Sequence, residues 1–278
     1  MQRPWFGPEG IVLTNETKHD RWGAGKSYED YMGRWSRAIA REFVGWLDAP
    51  GDRDWLDVGC GTGALSATIL EGCAPRSLLG VDPSDPFIEH ARKTNSVANA
   101  RFVVGGASAL PAPDASVDVV TSALAYNFFP DRPAALREMQ RVVRPGGLVA
   151  VYVWDYPGGG MGFQDAFWAA AVATDPGAAA QNESSRFAFC TGEGLLAEFV
   201  VAGLADVEVR AIEETARFAN FEDFWHPFTL AVGPAPAYCM SLDEGARQAL
   251  RHTLEARLGN AGPIEFPARA WAVRARTR

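Results

Sequence analysis

The chain has 278 residues, 47% of them apolar, enough to bury one substantial core in a single α/β domain of ~200–250 residues with additions. Its formal net charge of −8 speaks against a polyanionic partner, because Lys and Arg contacts to phosphate supply most nucleic-acid affinity. Apolar runs such as 166–173 and 199–205 fall far short of the ~20 residues that span a bilayer, and Pro, Gly and Glu interrupt the first nine residues before a secretory leader forms. The expectation is a soluble, cytoplasmic protein with no membrane or nucleic-acid partner. Cys60, Cys73, Cys190 and Cys239 are scattered without a CxxC pair, which fits reduced thiols and no structural metal.

In chain order, Ser27 followed by Asp30 reads as a helix cap, with a helix beginning near Tyr28. Tyr28, Tyr31, Trp35, Ile39, Phe43, Trp46 and Leu47 recur at helical spacing and make one apolar stripe. That stripe packs on the rest of the fold, or its first turns, with Tyr31 and Trp35, cover a ligand. From Asp54 onward, short β-rich runs alternate with helix-like stretches, the pattern of a parallel sheet covered on both faces. The strands are Trp55–Val58, Ser77–Val81, Arg101–Val104, Val117–Ser122 and Gly147–Val153. Helices are expected at Ala64–Glu71, Pro86–Lys93 and Ala134–Val142, and Arg144-Pro145-Gly146-Gly147 reads as a stop before the fifth strand. Val207–Ile212 and Ile264–Arg274 read as further strands flanking a helical region, Ser241–Leu258, so antiparallel strands finish the sheet and an insertion lies above it.

The first strand ends at Val58 and runs through Gly59-Cys60-Gly61-Thr62-Gly63 into a helix. Glycines there allow a ligand close to the backbone, as nucleoside cofactors require. Asp82 closes the second strand about 20 residues further on, where a carboxylate accepts both ribose hydroxyls. Asp57 stands just before the loop, and its charge suits a ligand bearing ammonium and sulfonium groups better than a pyrophosphate. The GxGxG spacing also differs from the GxGxxG of dinucleotide sites.

With Trp55-Leu56-Asp57-Val58-Gly59-Cys60-Gly61-Thr62-Gly63, Leu79-Gly80-Val81-Asp82-Pro83-Ser84, Val117-Asp118-Val119-Val120 and Leu136 through Gly147, the sequence resembles class I S-adenosylmethionine-dependent methyltransferases of the small-molecule, ubiquinone-biosynthesis-like type. The resemblance covers roughly Tyr31 to Tyr156. It implies a Rossmann-like, doubly wound, seven-stranded α/β sheet, mostly parallel with an antiparallel C-terminal strand, plus a helical N-terminal segment and a cap insertion. On this reading residues 1–36 form an N-terminal segment or lid, and 37–278 form the methyltransferase domain with insertions near 157–190 and 220–262. The resemblance further implies that Gly59 and Gly61 line the methionine portion of S-adenosylmethionine, that Asp57 assists its amino group, that Asp82 holds the ribose and that Pro83 lies against the adenine. Such proteins have Gly-Asp-Ala after the third strand. Here Gly105-Gly106-Ala107-Ser108 lacks the acidic residue, leaving the backbone at Gly106 and Ala107 for the adenine edge.

The loop Ala123-Leu124-Ala125-Tyr126-Asn127-Phe128-Phe129-Pro130-Asp131 follows the fourth strand and is expected beside the transferred methyl. Tyr126 and Asn127 are its candidate contacts. The loop carries neither the Pro-Pro-aromatic nor the Pro-Cys signature of nucleic-acid methyltransferases. Phe224, Trp225, His226, Pro227 and Phe228 in the second insertion either wall a pocket for a hydrophobic or aromatic acceptor or pack as core. His226 is the candidate base among the four histidines. The function expected is methyl transfer from S-adenosylmethionine to a small acceptor. Ligand binding without methyl transfer and, as a third reading, NAD-dependent oxidoreduction stay open.

Overall fold

The computed structural model describes residues 34–231, 233–260 and 262–278. The expected cap at Ser27 and Asp30, Tyr28 and Tyr31 lie outside the described residues, as does the lid of residues 1–36 apart from the first turn of the helix that follows. That helix, α1, is Arg34–Leu47; β1 is Asp54–Val58, α2 Ala64–Gly72, β2 Ser77–Asp82, α3 Asp85–Thr94, β3 Ala100–Val104 and β4 Val117–Ala123. A 3-10 turn, Tyr126–Phe128, leads to α4, Arg132–Val142, and β5, Val143–Trp154. Then come α5, Gly162–Thr174, a 3-10 turn at Pro176–Gln181, the short α6, Glu183–Arg186, α7, Gly192–Val201, and β6, Ala205–Phe218. Helix α8, Phe221–Trp225, a 3-10 turn at His226–Thr229, α9, Pro234–Ser241, and α10, Glu244–Leu258, precede β7, Ile264–Arg276.

The strands form one seven-stranded sheet in the order β3-β2-β1-β4-β5-β7-β6. The chain winds outward from β1 through β2 to β3, then returns to β4 on the other side of β1. The carboxyl ends of β1 and β4 therefore border a topological switch point, where open α/β sheets leave a ligand crevice. Pairing is parallel among β1 to β5, and β7 is antiparallel to both β5 and β6. From Leu148 to Trp154 every residue of β5 is buried, because helices cover both faces. Helix α1 packs through Trp35, Ile39, Phe43 and Leu47, with the Phe43 ring 4.7 Å from that of Tyr152 on β5. Asp131 caps α4 by accepting from the Ala134 N–H at 2.8 Å, which satisfies one of the helix's unpaired donors.

The segment 144–147 corrects one expectation, since it does not stop the chain ahead of the fifth strand. Val143 already pairs with Val117, and the register then shifts so that Leu148 pairs with Val119, which makes the Arg-Pro-Gly-Gly run a bulge inside β5. Gly146 takes φ +75°, and a Cβ on Gly147 would meet the Asp118 carbonyl oxygen at 2.7 Å. At this amino end of the sheet Asp118 accepts from the Asp54 N–H at 2.8 Å and pairs with Arg144 at 2.9 Å, so it is a structural residue.

β6 and β7 overrun the sheet at the opposite, carboxyl end. Trp154 of β5 faces Ala270, yet β6 and β7 stay paired out to Phe218 and Ile264. Six further residues of ribbon project by about 20 Å. Their inward side chains Ala216, Phe218 and Ala268 join Trp35, Phe163, Phe167, Phe224 and Phe228 in a closed aromatic core. Phe167 and Phe228 stack with centroids 4.4 Å apart. The aromatics of 221–236 are thus packing rather than the wall of an open pocket.

Gly147→Ala is expected to destabilise the protein by about 1–3 kcal/mol, as overpacking does, measured by urea unfolding. An unchanged midpoint would contradict the close approach of the bulge to Asp118.

Candidate functional site

The site is built where β1, β2, β3 and β4 end. After Val58 the backbone N–H groups of Gly59 and Cys60 both donate to the Val81 carbonyl, at 2.7 and 3.1 Å, which folds the loop over the end of β2. Asp82 completes the tie: one carboxylate oxygen accepts from the Gly61 N–H at 3.0 Å and the other from the Ser84 N–H at 2.8 Å. The Asp82 carbonyl in turn accepts from the Gly105 N–H at 3.0 Å, linking the end of β3.

The three loop glycines serve different ends. A Cβ on Gly59 would strike Ala125 at 2.5 Å and Phe129 at 3.3 Å, so its missing side chain makes room for the loop after β4. The sequence reading did not foresee this packing role, which Gly59 has beside the one that the resemblance implies for its backbone. A Cβ on Gly63 would strike Asn95 at 2.4 Å, a helix-packing constraint. Only Gly61, at φ +52°, has open space where its Cβ would be. Gly106 at the end of β3 is likewise open and exposed, Ala107 is half-buried, and Pro83 is exposed beside Asp82.

Asp57 is fully buried. One of its oxygens accepts from the Ser66 hydroxyl at 2.7 Å, and the other has no hydrogen-bond partner. Burial pushes this carboxyl up to about 7; the Ser66 bond pulls it down, and the Asp82 charge pushes it up further. Asp82 is also raised, first by burial, against the opposing N–H bonds of Ser84 and Gly61. Among the described residues no cationic side chain is one of the groups that shift either carboxyl. Among the described residues the crevice therefore pairs two buried carboxylates with an open backbone and no counter-cation. Such a site favours a positively charged ligand and opposes a pyrophosphate. The residues fit the nucleoside sulfonium that the loop sequence implies.

Ala123 ends β4, half-buried and paired with Tyr152. Asn127 is buried, and its side-chain nitrogen has no partner, leaving a donor for a ligand. Tyr126 requires a correction. Its hydroxyl donates to Glu198 at 2.6 Å and its ring is wholly buried, so it holds the loop and does not face a reacting atom. Burial, then the Glu198 carboxylate, push its hydroxyl up, which removes it further from base chemistry. Trp35 packs at 5.0 Å from Phe163 and 5.2 Å from Phe218 in the aromatic core, the packing alternative for its stripe rather than the ligand-covering one. His226 is exposed at the end of α8 rather than in a pocket wall. Tyr31 lies outside the described residues. Sequence reading missed Ser66 and Phe129. A serine nine residues beyond Asp57 carries no signal of its own until α2 turns it back onto the carboxylate.

Residues 56–151 match the family model described as a methyltransferase domain. That stretch of the chain is similar to methyltransferase domains. The match runs from β1 almost to the end of β5, and its outcome agrees with the resemblance drawn from the motifs. Fatty-acid O-methyltransferase of Mycolicibacterium smegmatis is 31% identical over 121 residues, 44% of each chain. Demethylmenaquinone methyltransferase of Staphylococcus aureus is 40% identical over 96 residues, 34% of this chain and 40% of that one. The chain thus spans less than half the length of these curated relatives. Among solved structures, the YcgJ protein of Bacillus subtilis superposes with TM-score 0.56 at 18% identity, covering 88% of this chain and 99% of that one. Phosphoethanolamine N-methyltransferase 2 of Haemonchus contortus, in complex with S-adenosyl-L-methionine, gives 0.54 at 15% identity over 91% of this chain and 56% of that one. These likenesses establish the fold around the methyltransferase domain. No helix among the described residues is long and apolar enough to cross a membrane.

The raised Asp57 carboxyl carries a stability consequence with a definite sign. Its contribution is fully present below the unfolded value near 3.8 and is lost as pH rises through about 7. Asp57→Asn keeps an acceptor for Ser66 and abolishes the titration. Relative to this variant, the wild type is expected to lose up to about 1.4 kcal/mol per pH unit between these limits. Urea midpoints at pH 5 and pH 8 measure the difference. Parallel behaviour of the two proteins would contradict a buried, unpaired carboxyl.

Proposed function

We propose that the chain binds S-adenosylmethionine in the crevice at Gly61 and Asp82 and transfers its methyl group to a small, apolar acceptor. The observation that carries this reading is the pair of buried carboxylates, Asp57 and Asp82, with no cation of the described residues among the groups that shift them and with open space at Gly61. Bound S-adenosylmethionine supplies an electrophilic methyl group on a sulfonium. Asp82 is the residue to hold the ribose hydroxyls, Gly61 gives the cofactor room against the backbone, and Asp57 ionises to balance its positive charge. At the end of β3 the adenine edge meets backbone at Gly106 and Ala107 in place of a carboxylate.

With Tyr126 tied to Glu198 and His226 exposed, neither is assigned as a general base. Rate then comes from alignment: an acceptor held in line with the carbon–sulfur bond gains from orientation without a dedicated proton carrier. Asn127 offers its unpaired amide N–H to an acceptor oxygen. Half-buried Phe128 and Phe129, with Phe187 5.1 Å from Phe128 and 5.3 Å from Tyr156, give this side of the crevice an apolar, aromatic wall. Two relatives are named for fatty-acid and demethylmenaquinone substrates, which supports an apolar acceptor here. Four free thiols, three of them buried, go with a cytoplasmic setting.

Isothermal titration of the full chain with S-adenosylhomocysteine and, separately, with NAD tests the reading. Binding of the first and not the second is expected. Asp82→Ala is expected to weaken S-adenosylhomocysteine by about 10–100-fold, the loss of hydrogen bonds to a charged acceptor. Affinity for NAD, or an unaltered affinity in Asp82→Ala, would overturn it.

A further inference from the structure

The loop after β4 does not hold its shape by local preference. Leu124 sits at φ +55°, a left-handed conformation that a branched side chain adopts only when its surroundings impose it. One restraint comes from the neighbouring strand β5, the Leu124 N–H donating to the Tyr152 carbonyl at 2.9 Å. The other comes from 72 residues further along the chain, where α7 presents Glu198. Glu198 accepts from the Tyr126 hydroxyl at 2.6 Å and from Arg132, the first residue of α4, at 2.8 and 3.0 Å. Arg132 in turn lies 3.6 Å over the Phe189 ring. The carboxylate therefore grips both ends of the segment 126–132, with Asn127 and Phe129 between them.

Phe129 carries the restraint to the cofactor loop. Its ring meets Tyr126 edge-on at 5.6 Å, and its edge is 3.3 Å from the position of a Gly59 Cβ. We infer that Glu198 is a positioning residue for the cofactor crevice, setting through Tyr126 and Arg132 the place of Phe129 against Gly59 and of the Asn127 amide. This rests on the cofactor reading above. A bond from a buried phenol to a carboxylate is short and charge-assisted, which suits it to overrule strain in the intervening backbone.

S-adenosylhomocysteine titrated into the full chain by calorimetry provides the test, with thermal melts run in parallel. Glu198→Ala and Tyr126→Phe each remove the same bond, and each is expected to weaken S-adenosylhomocysteine about tenfold. Glu198→Gln keeps an oxygen for Tyr126 and is expected to recover most of the affinity. Tyr238→Phe removes a remote bond, Tyr238 to Asp175 at 3.2 Å, and is expected to lower the melting temperature with the affinity unchanged. That variant separates positioning from general destabilisation. Wild-type affinity in Tyr126→Phe, or in a folded Glu198→Ala, would overturn the inference. An equal loss in Tyr238→Phe would overturn it too. No binding by the wild type would overturn the cofactor reading itself and the inference with it.

Discussion

The carboxylate of Asp82 occupies the point on which the carboxyl end of the sheet turns. It holds the Gly61 and Ser84 N–H groups on its two oxygens, while its own carbonyl holds Gly105, so the ends of β1, β2 and β3 converge on one residue. Burial keeps that carboxylate away from water, and the fold places a second one, Asp57, near enough to feel its charge. Two buried acids with no cation beside them among the described residues are unfavourable in the free protein. A cationic ligand relieves both at once, so binding energy is available to the sulfonium that a dinucleotide could not use.

The two ends of the sheet divide stability from chemistry. At the amino end Asp54 and Asp118 are paired with Arg144, and Arg76 joins Asp54, so the charges there are satisfied by the protein itself. At the carboxyl end Asp57 and Asn127 each keep an unsatisfied polar atom in the buried interior. Orphaned groups of this kind are rare in folded chains, and these two lie beside the switch point, where open α/β sheets leave a ligand crevice. Beyond β5 the overhanging ribbon of β6 and β7 is sealed by its own aromatic core.

Strands β1 to β4, helices α2 to α4 and the acidic residues of the crevice were legible because each has a local signature: alternating apolar runs, turn residues, and glycines at a strand end followed by a carboxylate. Long-range geometry had none. Nothing near Gly59 reveals that Ala125 and Phe129 lie against it, so the packing reason for this glycine is invisible in the sequence. Tyr126 reads as a contact for substrate because it follows β4, yet its partner Glu198 stands on α7, beyond the first insertion. The aromatics around His226 have the same composition whether they line a cavity or fill a core. Only the ribbon packing against them decides it.

A crystal structure of the protein with S-adenosylhomocysteine tests the central claim most directly. The account expects the ribose hydroxyls on Asp82, the thioether side of the ligand against Gly61, and the amino acid portion toward the Asp57 side of the loop. Density for the nucleoside at another part of the sheet, or a ligand whose ribose makes no contact with Asp82, would contradict it.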